Sequence, residues 1–409
     1  MAGLSLMSLR RVVITGLGPV SSIGIGASAY SEGLREGVNG VSPIACFDPT
    51  GFPYIMAGEV HAFRPEDMVR RLSVDEWGRT SLFAASAARL AVADAGIDED
   101  ELAASRAGSS MGTTGGESQV LEKLTEDSLT AGMGGLDAGL IRQVSSARLS
   151  QAVNRELRLT GDAVTLSTAC SASNYALGYA YDLIRTGEAD YMIAGGADSV
   201  GRWSHAGFYR LGALTEKACS PFDANRSGII TGEGGAAMFL ESLESAQARG
   251  AHIHAEVLGY GLNCDANHMV APNRDSIAEC MRIAHANAGV KAEEVDYICA
   301  HGTGTPANDF VEASAVVDVF GENPPPISST KSMLGHTMGA ASGLGAIASV
   351  LGIAGSFLPP TINFNTPDPD MPKIDPVPNK ARAADVRIAQ VNGFAFGGNN
   401  AIVMLGRPE

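Results

Sequence analysis

The chain has 409 residues, 45% of them hydrophobic and 18% charged, and a formal net charge of −16. That balance describes a compact globular protein and leaves no basic patch to release counterions, which excludes nucleic acid as a partner. Its six cysteines show no C-x-x-C or His/Cys ligand spacing, so a zinc centre is excluded and free thiols in a reducing cytoplasm are expected.

The first residues are short and lead into a strand at 11–18, with no secretory leader read there. Forty-nine glycines fall between apolar runs, as tight strand–loop–helix turns require. Val164, Thr165 and Leu166 have strand character. After them Leu177, Tyr181 and Ile184 recur at three- and four-residue steps, which predicts a helix from 171 to 185 capped by Gly187. Strands follow at 190–196 and 235–241, and a helix at 242–249. The pattern then restarts. Residues 255–261 echo the opening strand, 295–300 end at His301, and 386–392 with 400–405 make a closing pair. The echo divides the chain into two similar α/β halves, 1–254 and 255–409. The proline-rich stretches 324–326 and 359–378 read as loops. Residues 337–358 carry no charge, but Gly, Ala and Ser dominate them. They read as a buried helix packed on both sides rather than a membrane span.

Cys170 lies where the 164–166 strand becomes a helix. A thiol there faces unpaired N–H groups and the positive end of a helix dipole, which favour thiolate. Lone cysteines are more often inert core. Three downstream segments change that balance. His301-Gly302-Thr303-Gly304-Thr305-Pro306 puts a histidine at a strand end facing a cleft. Lys331 and His336 stand at the entrance of the uncharged helix. Phe394-Ala395-Phe396-Gly397-Gly398 lets backbone N–H groups approach a substrate.

Together with Ser220-Pro221-Phe222-Asp223 and Gly232-Glu233-Gly234, these segments resemble the elongating β-ketoacyl-acyl-carrier-protein synthases of the thiolase superfamily, among them the ketosynthase subunits of type II polyketide synthases. The resemblance runs over nearly the whole chain. It implies a thiolase-like duplicated α-β-α-β-α layered fold and a decarboxylative Claisen condensation that needs no metal and no organic cofactor. By the same resemblance Cys170 is the acyl-accepting nucleophile, and the N–H groups of Cys170 and Phe396 form the oxyanion hole. His301 and His336 hold the malonyl thioester, and Lys331 orients His336. Phe394 is a gate, Thr303 and Thr305 lie on the malonyl side, Val270 is on the substrate-entry side, His268 lies in a substrate-binding loop with Asp265, and Thr114 sits at the neck of the acyl pocket. Arg70, Arg71 and Arg210 are expected to dock an acyl carrier protein, loaded with acyl or malonyl groups. A second copy or a chain-length-factor-like subunit is expected as partner, with no membrane involved.

Some positions depart from the family pattern. Gly345 stands where a glutamate usually pairs with the lysine, Val270 and Asn399 replace threonines, and Gly212 replaces an arginine, with Arg210 nearby. These departures point to a specialised synthase, for example one elongating polyene chains, with a housekeeping fatty-acid synthase as the competing version. A non-catalytic chain-length subunit and a malonyl-carrier-protein decarboxylase are the alternatives from other classes.

Overall fold

The structure is a computed structural model and describes residues 9–409. Ten strands make its main sheet: β1 (Val12–Ser21), β2 (Ala107–Gly112), β3 (Ala163–Leu166), β4 (Tyr191–Asp198), β5 (Gly234–Ser242), β6 (Ala255–Cys264), β7 (Tyr297–Cys299), β8 (Ile327–Ser328), β9 (Ile388–Phe394) and β10 (Asn399–Gly406). A short strand, Gly24–Ile25, adds to β1. The spatial order is β8-β7-β9-β10-β6-β1-β5-β4-β2-β3. Counted outward from the centre, the first five strands run β1-β5-β4-β2-β3 and the last five β6-β10-β9-β7-β8, the same order twice. The pairing repeats as well: β2 is parallel to β3 and β4, and β7 is parallel to β8 and β9, while the other core pairs are antiparallel.

Helices α1 (Arg79–Ala95) and α2 (Arg148–Leu157) cover the outer face of the first five strands. Helices α5 (Arg274–Ala288) and α6 (Pro306–Phe320) cover that of the last five, and α4 (Arg202–Arg210) lies beyond β4. Between the two sets lie α3 (Ala172–Thr186) and α7 (Ala341–Gly355), which touch strands of both. The result is the expected layered α/β arrangement. A helix packed on both sides must be apolar all round. This explains the uncharged segment Met338–Gly355, with mean hydropathy 1.6 and 83% of it buried inside the protein.

The periodicity located the long apolar strands but not β2 or β8. Strand β2 reads Ala-Gly-Ser-Ser-Met-Gly and is buried throughout. Its small residues carry no strand preference; they are there because α3 packs closely, and a Cβ on Gly112 would lie 2.3 Å from the backbone of Ala172.

Candidate active site

Cys170 occupies a 3₁₀ turn, Ala169–Ser171, between β3 and α3. Ala169 is left-handed at φ 51°, a conformation that costs a residue with a Cβ about 1–2 kcal/mol. The turn holds because Ser171 Oγ donates to Thr168 O at 2.9 Å. The first turn of α3 is also tied down, since Asn174 Nδ2 donates to the carbonyls of Val391 and Ala401, each at 3.0 Å. Strand β9 passes so closely that a Cβ on Gly393 would meet Ser171 Cα at 3.2 Å.

Cys170, His301 and His336 line one cavity of about 300 Å³. Phe394, Phe396, Thr303, Thr305, His268 and Val270 line it too, as expected. The imidazole centroids of His301 and His336 are 5.7 Å apart, and Phe394 packs 5.8 Å from His301. Both histidines are buried. Burial, and then the charge of Lys331, hold both well below the ordinary histidine range, so both are neutral. The backbone N–H of Met338 donates to His336 Nδ1 at 3.0 Å. That bond fixes the tautomer and leaves the Nε2 proton free to donate.

The environment of the thiol corrects one expectation. Burial pushes Cys170 up to about 11; the Lys331 ammonium and the N–H groups of Cys170 and Phe396 pull the other way without prevailing. The helix end and oxyanion donors are present, but the low-dielectric surroundings outweigh them, and the resting group is the thiol.

Lys331 also differs from expectation. It begins a one-turn helix, Lys331–Leu334, and its Nζ donates to the carbonyl of His301 at 2.5 Å rather than to His336. The residue is buried behind the cavity and does not line it. Burial lowers its pKa, and the neighbouring Cys299, Glu312 and Cys170 raise it. The glutamate missing at 345 would have no room, because a Cβ there would lie 2.9 Å from Cys299 Sγ. Glu312 on α6 supplies the buried carboxylate instead. It accepts from the N–H groups of His301 (2.8 Å) and Gly302 (2.7 Å) and from Asn392 Nδ2 (2.9 Å). Glu312 and Asn392 were missed as site residues. The signal was a fully buried acid on a helix whose neighbours include Val311 and Val316. Asp198 was missed as well. Its carboxylate, raised by burial to about 6, accepts from Thr113, Thr114, Gly115 and Gly339, and it joins the ends of β2 and β4 to the turn before α7.

Several surrounding residues make structural bonds as well. Thr114 does not line the cavity; its N–H is bound to Asp198, and its buried Oγ1 has no partner. Thr305 caps α6, accepting from the Asn308 N–H at 3.3 Å. His268 Nδ1 accepts from the N–H groups of Val270 and Ala271, which orders the loop over the cavity. Asn399 is a strand residue whose carbonyl accepts from Ala395 N–H; its neighbour Asn400 reaches the cavity. Arg70 and Arg71 are both engaged within the chain, with the Arg70 side chain 68% exposed. Both bind Glu99 through their side chains, and their N–H groups bind Glu156. Arg210 is exposed at the end of α4, beside Leu211 and Gly212 of the cavity rim.

A twice-repeated five-strand unit, with a thiol on the buried turn between its layers and two neutral imidazoles lining the same cavity, defines a thiolase-like condensing enzyme. Comparison with known proteins gives the family. Residues 9–246 match the N-terminal domain of beta-ketoacyl synthase and residues 254–365 match its C-terminal domain, and the chain belongs to that family. The 3-oxoacyl-[acyl-carrier-protein] synthase 2 of Coxiella burnetii is 38% identical over 98% of this chain and 99% of its own length. Nodulation protein E of Rhizobium meliloti is 39% identical over 96% and 98%. Among solved structures, the ishigamide ketosynthase/chain length factor superimposes with a TM-score of 0.96 at 52% identity, covering 98% of this chain and 100% of that one. A type II PKS ketosynthase in complex with its acyl-carrier protein superimposes with a TM-score of 0.90 at 30% identity, again covering 98% and 100%.

Proposed function

We propose that the chain is an elongating β-ketoacyl-acyl-carrier-protein synthase, with Cys170 as nucleophile and His301 and His336 as the malonyl-side donors. The observation that carries this reading is the His336 tautomer: a backbone donor on Nδ1 leaves Nε2–H aimed at the cavity that Cys170 shares. In the first half-reaction the Cys170 sulfur attacks an acyl thioester. The carrier-protein thiol leaves and takes up the proton that the cysteine loses. The oxyanion is met by the Cys170 and Phe396 N–H groups. In the second, malonyl-carrier protein loses CO₂. Neutral imidazoles donate to its thioester oxygen and stabilise the enolate, whose carbon attacks acyl-Cys170. The thiolate departs and 3-oxoacyl-carrier protein is released. Lys331 holds the His301 backbone and adds positive potential.

The 52% identity to a ketosynthase/chain length factor, against 38% to a 3-oxoacyl-[acyl-carrier-protein] synthase 2, supports a type II polyketide role beside a chain-length-factor-like subunit. Strand β3 is the free edge of the sheet, and its half-exposed row of donors and acceptors suits such a partner. The two-half organisation, 1–254 and 255–409, belongs to the same reading and is supported by the repeated strand order. So does a cytoplasmic setting, supported by six free cysteines. Cys170 speaks against a non-catalytic chain-length subunit. The test is the intact mass of carrier protein after incubation with acyl- and malonyl-carrier protein and each candidate partner. A 3-oxoacyl product with wild type, and no acylation with Cys170→Ala, is expected. Cys170→Ala still acylated at the site would overturn the mechanism.

A further inference from the structure

A single chain of side-chain hydrogen bonds runs from the outer helix layer to the backbone of His301. His285, near the end of α5, donates from Nε2 to Gln390 Oε1 at 2.7 Å. Gln390 Nε2 donates to Asn392 Oδ1 at 2.8 Å, and Asn392 Nδ2 donates to Glu312 Oε1 at 2.9 Å. Glu312 then accepts from the N–H groups of His301 and Gly302, and Lys331 closes the far side on the His301 carbonyl. All four members are buried, with exposures of 7%, 0%, 2% and 0% for His285, Gln390, Asn392 and Glu312.

The polarity of the chain is fixed. A carboxylate can only accept, so Asn392 must turn its NH₂ toward Glu312 and its oxygen toward Gln390. Gln390 must then present its own NH₂ to Asn392 and its oxygen to His285, and the imidazole proton has to be on Nε2. One end is a buried carboxyl group, pushed up by burial and held down by its donors, and every donor points at it, the arrangement in which successive bonds polarise one another. Gln390 and Asn392 alternate on β9 with Ala389, Val391 and Gly393, so they share one face of the strand. Two amides on a buried strand face are costly unless each is satisfied, and here each is satisfied only by the next member of the chain.

We propose that His285, Gln390 and Asn392 are positioning residues for the malonyl half-reaction: they aim and fix Glu312, which fixes the backbone that carries His301. The proposal rests on the assignment of His301 to that half-reaction. Around Glu312, Lys331 faces it from the one-turn helix, Cys299 from β7 and Asp309 from its own helix. Breaking the chain at Gln390 or His285 loosens Asn392 and weakens its bond to Glu312, one that favours the carboxylate. The acid limb of the reaction therefore moves to higher pH.

The test measures two rates on the full protein with its partner: decarboxylation of malonyl-carrier protein, and acylation of Cys170 from acyl-carrier protein. Gln390→Met removes the outermost and the middle bond at similar volume, and His285→Leu breaks only the outermost. Each bond lost is expected to lower the decarboxylation kcat about three- to tenfold, more for Gln390→Met, with KM and Cys170 acylation within about twofold of wild type. The acid limb should shift upward, and His285→Gln, which keeps a donor, should recover most of the rate. Should Gln390→Met fail to fold, His285→Leu carries the test. Unchanged decarboxylation in the variants, or both rates falling by one factor, overturns the relay. A wild-type protein that does not decarboxylate malonyl-carrier protein overturns the assignment of function instead.

Discussion

Gly345 and Cys299 should behave as one packing unit. Gly345 lies inside α7, where alanine is favoured over glycine by about 1 kcal/mol. On propensity alone, Gly345→Ala stabilises. The structure opposes this, because the new Cβ would lie 2.9 Å from Cys299 Sγ, against an ordinary contact of about 3.5–4.0 Å. Cys299 is 2% exposed on β7, packed in the core between the sheet and α7, and has little room to move. Such overpacking costs about 1–3 kcal/mol, which cancels or exceeds the helix gain. In a Cys299→Ala background the clash is gone and the methyl fills the space that the sulfur left, so the same substitution should stabilise by about 1 kcal/mol or more. The expected coupling is about 1–3 kcal/mol, read from the melting temperatures of the four proteins of a double-mutant cycle. Equal shifts for Gly345→Ala in both backgrounds would refute the account. Gly345→Glu extends the test: it should be tolerated only with Cys299→Ala, where its carboxylate has room beside Lys331.

Five further outcomes follow from the structure. Iodoacetamide labelling of Cys170, followed by mass spectrometry, should rise about tenfold per pH unit from pH 7 toward its midpoint near 11; a plateau by pH 9 contradicts the buried-thiol reading. Lys331→Met removes a charge that lowers that midpoint, so labelling should slow at every pH below it. His336→Ala should keep Cys170 acylation and lose decarboxylation by about a hundredfold or more; loss of acylation instead would reverse the roles of the two half-reactions. Arg210→Glu should raise KM for carrier protein several-fold at low salt and less at high salt. Arg71→Ala should chiefly lower the melting temperature, because Arg71 is already engaged by Glu99 and by the Glu156 carbonyl.

Parts of this enzyme were legible in the sequence because they depend on short stretches of chain. The strand-to-helix change around Cys170 is local, and so are the glycine turns that bring His301 and Phe396 to the cavity. Other parts depend on distant residues meeting. Glu312 looks like any acid on a helix until the end of β7 is placed against it. Lys331 was expected to serve His336, five residues away in sequence, yet it bonds the carbonyl of His301, thirty residues away. Arg70 and Arg71 form a basic pair in sequence; only the fold brings Glu99 and Glu156 to them. Strand β2 was invisible because its composition answers to the helix packed on it, not to strand preference.

The thiol at Cys170 shows why local reading also misjudged the chemistry. Helix end, oxyanion donors and Lys331 all favour thiolate, and all are present, but none lies in water, and burial costs the charged form more than they return. A resting thiolate would also be exposed to oxidation and to stray electrophiles. On the proposed mechanism a protonated thiol must lose its proton as it attacks, and the departing carrier-protein sulfur takes one up. That couples reactivity to the arrival of the correct thioester. The neutral histidines obey the same logic. An imidazolium beside Lys331 would be repelled, whereas a neutral ring with its Nδ1 held by Met338 still donates through Nε2 to the developing enolate. Burial therefore sets the protonation state of all three groups: a thiol at Cys170 and neutral rings at His301 and His336.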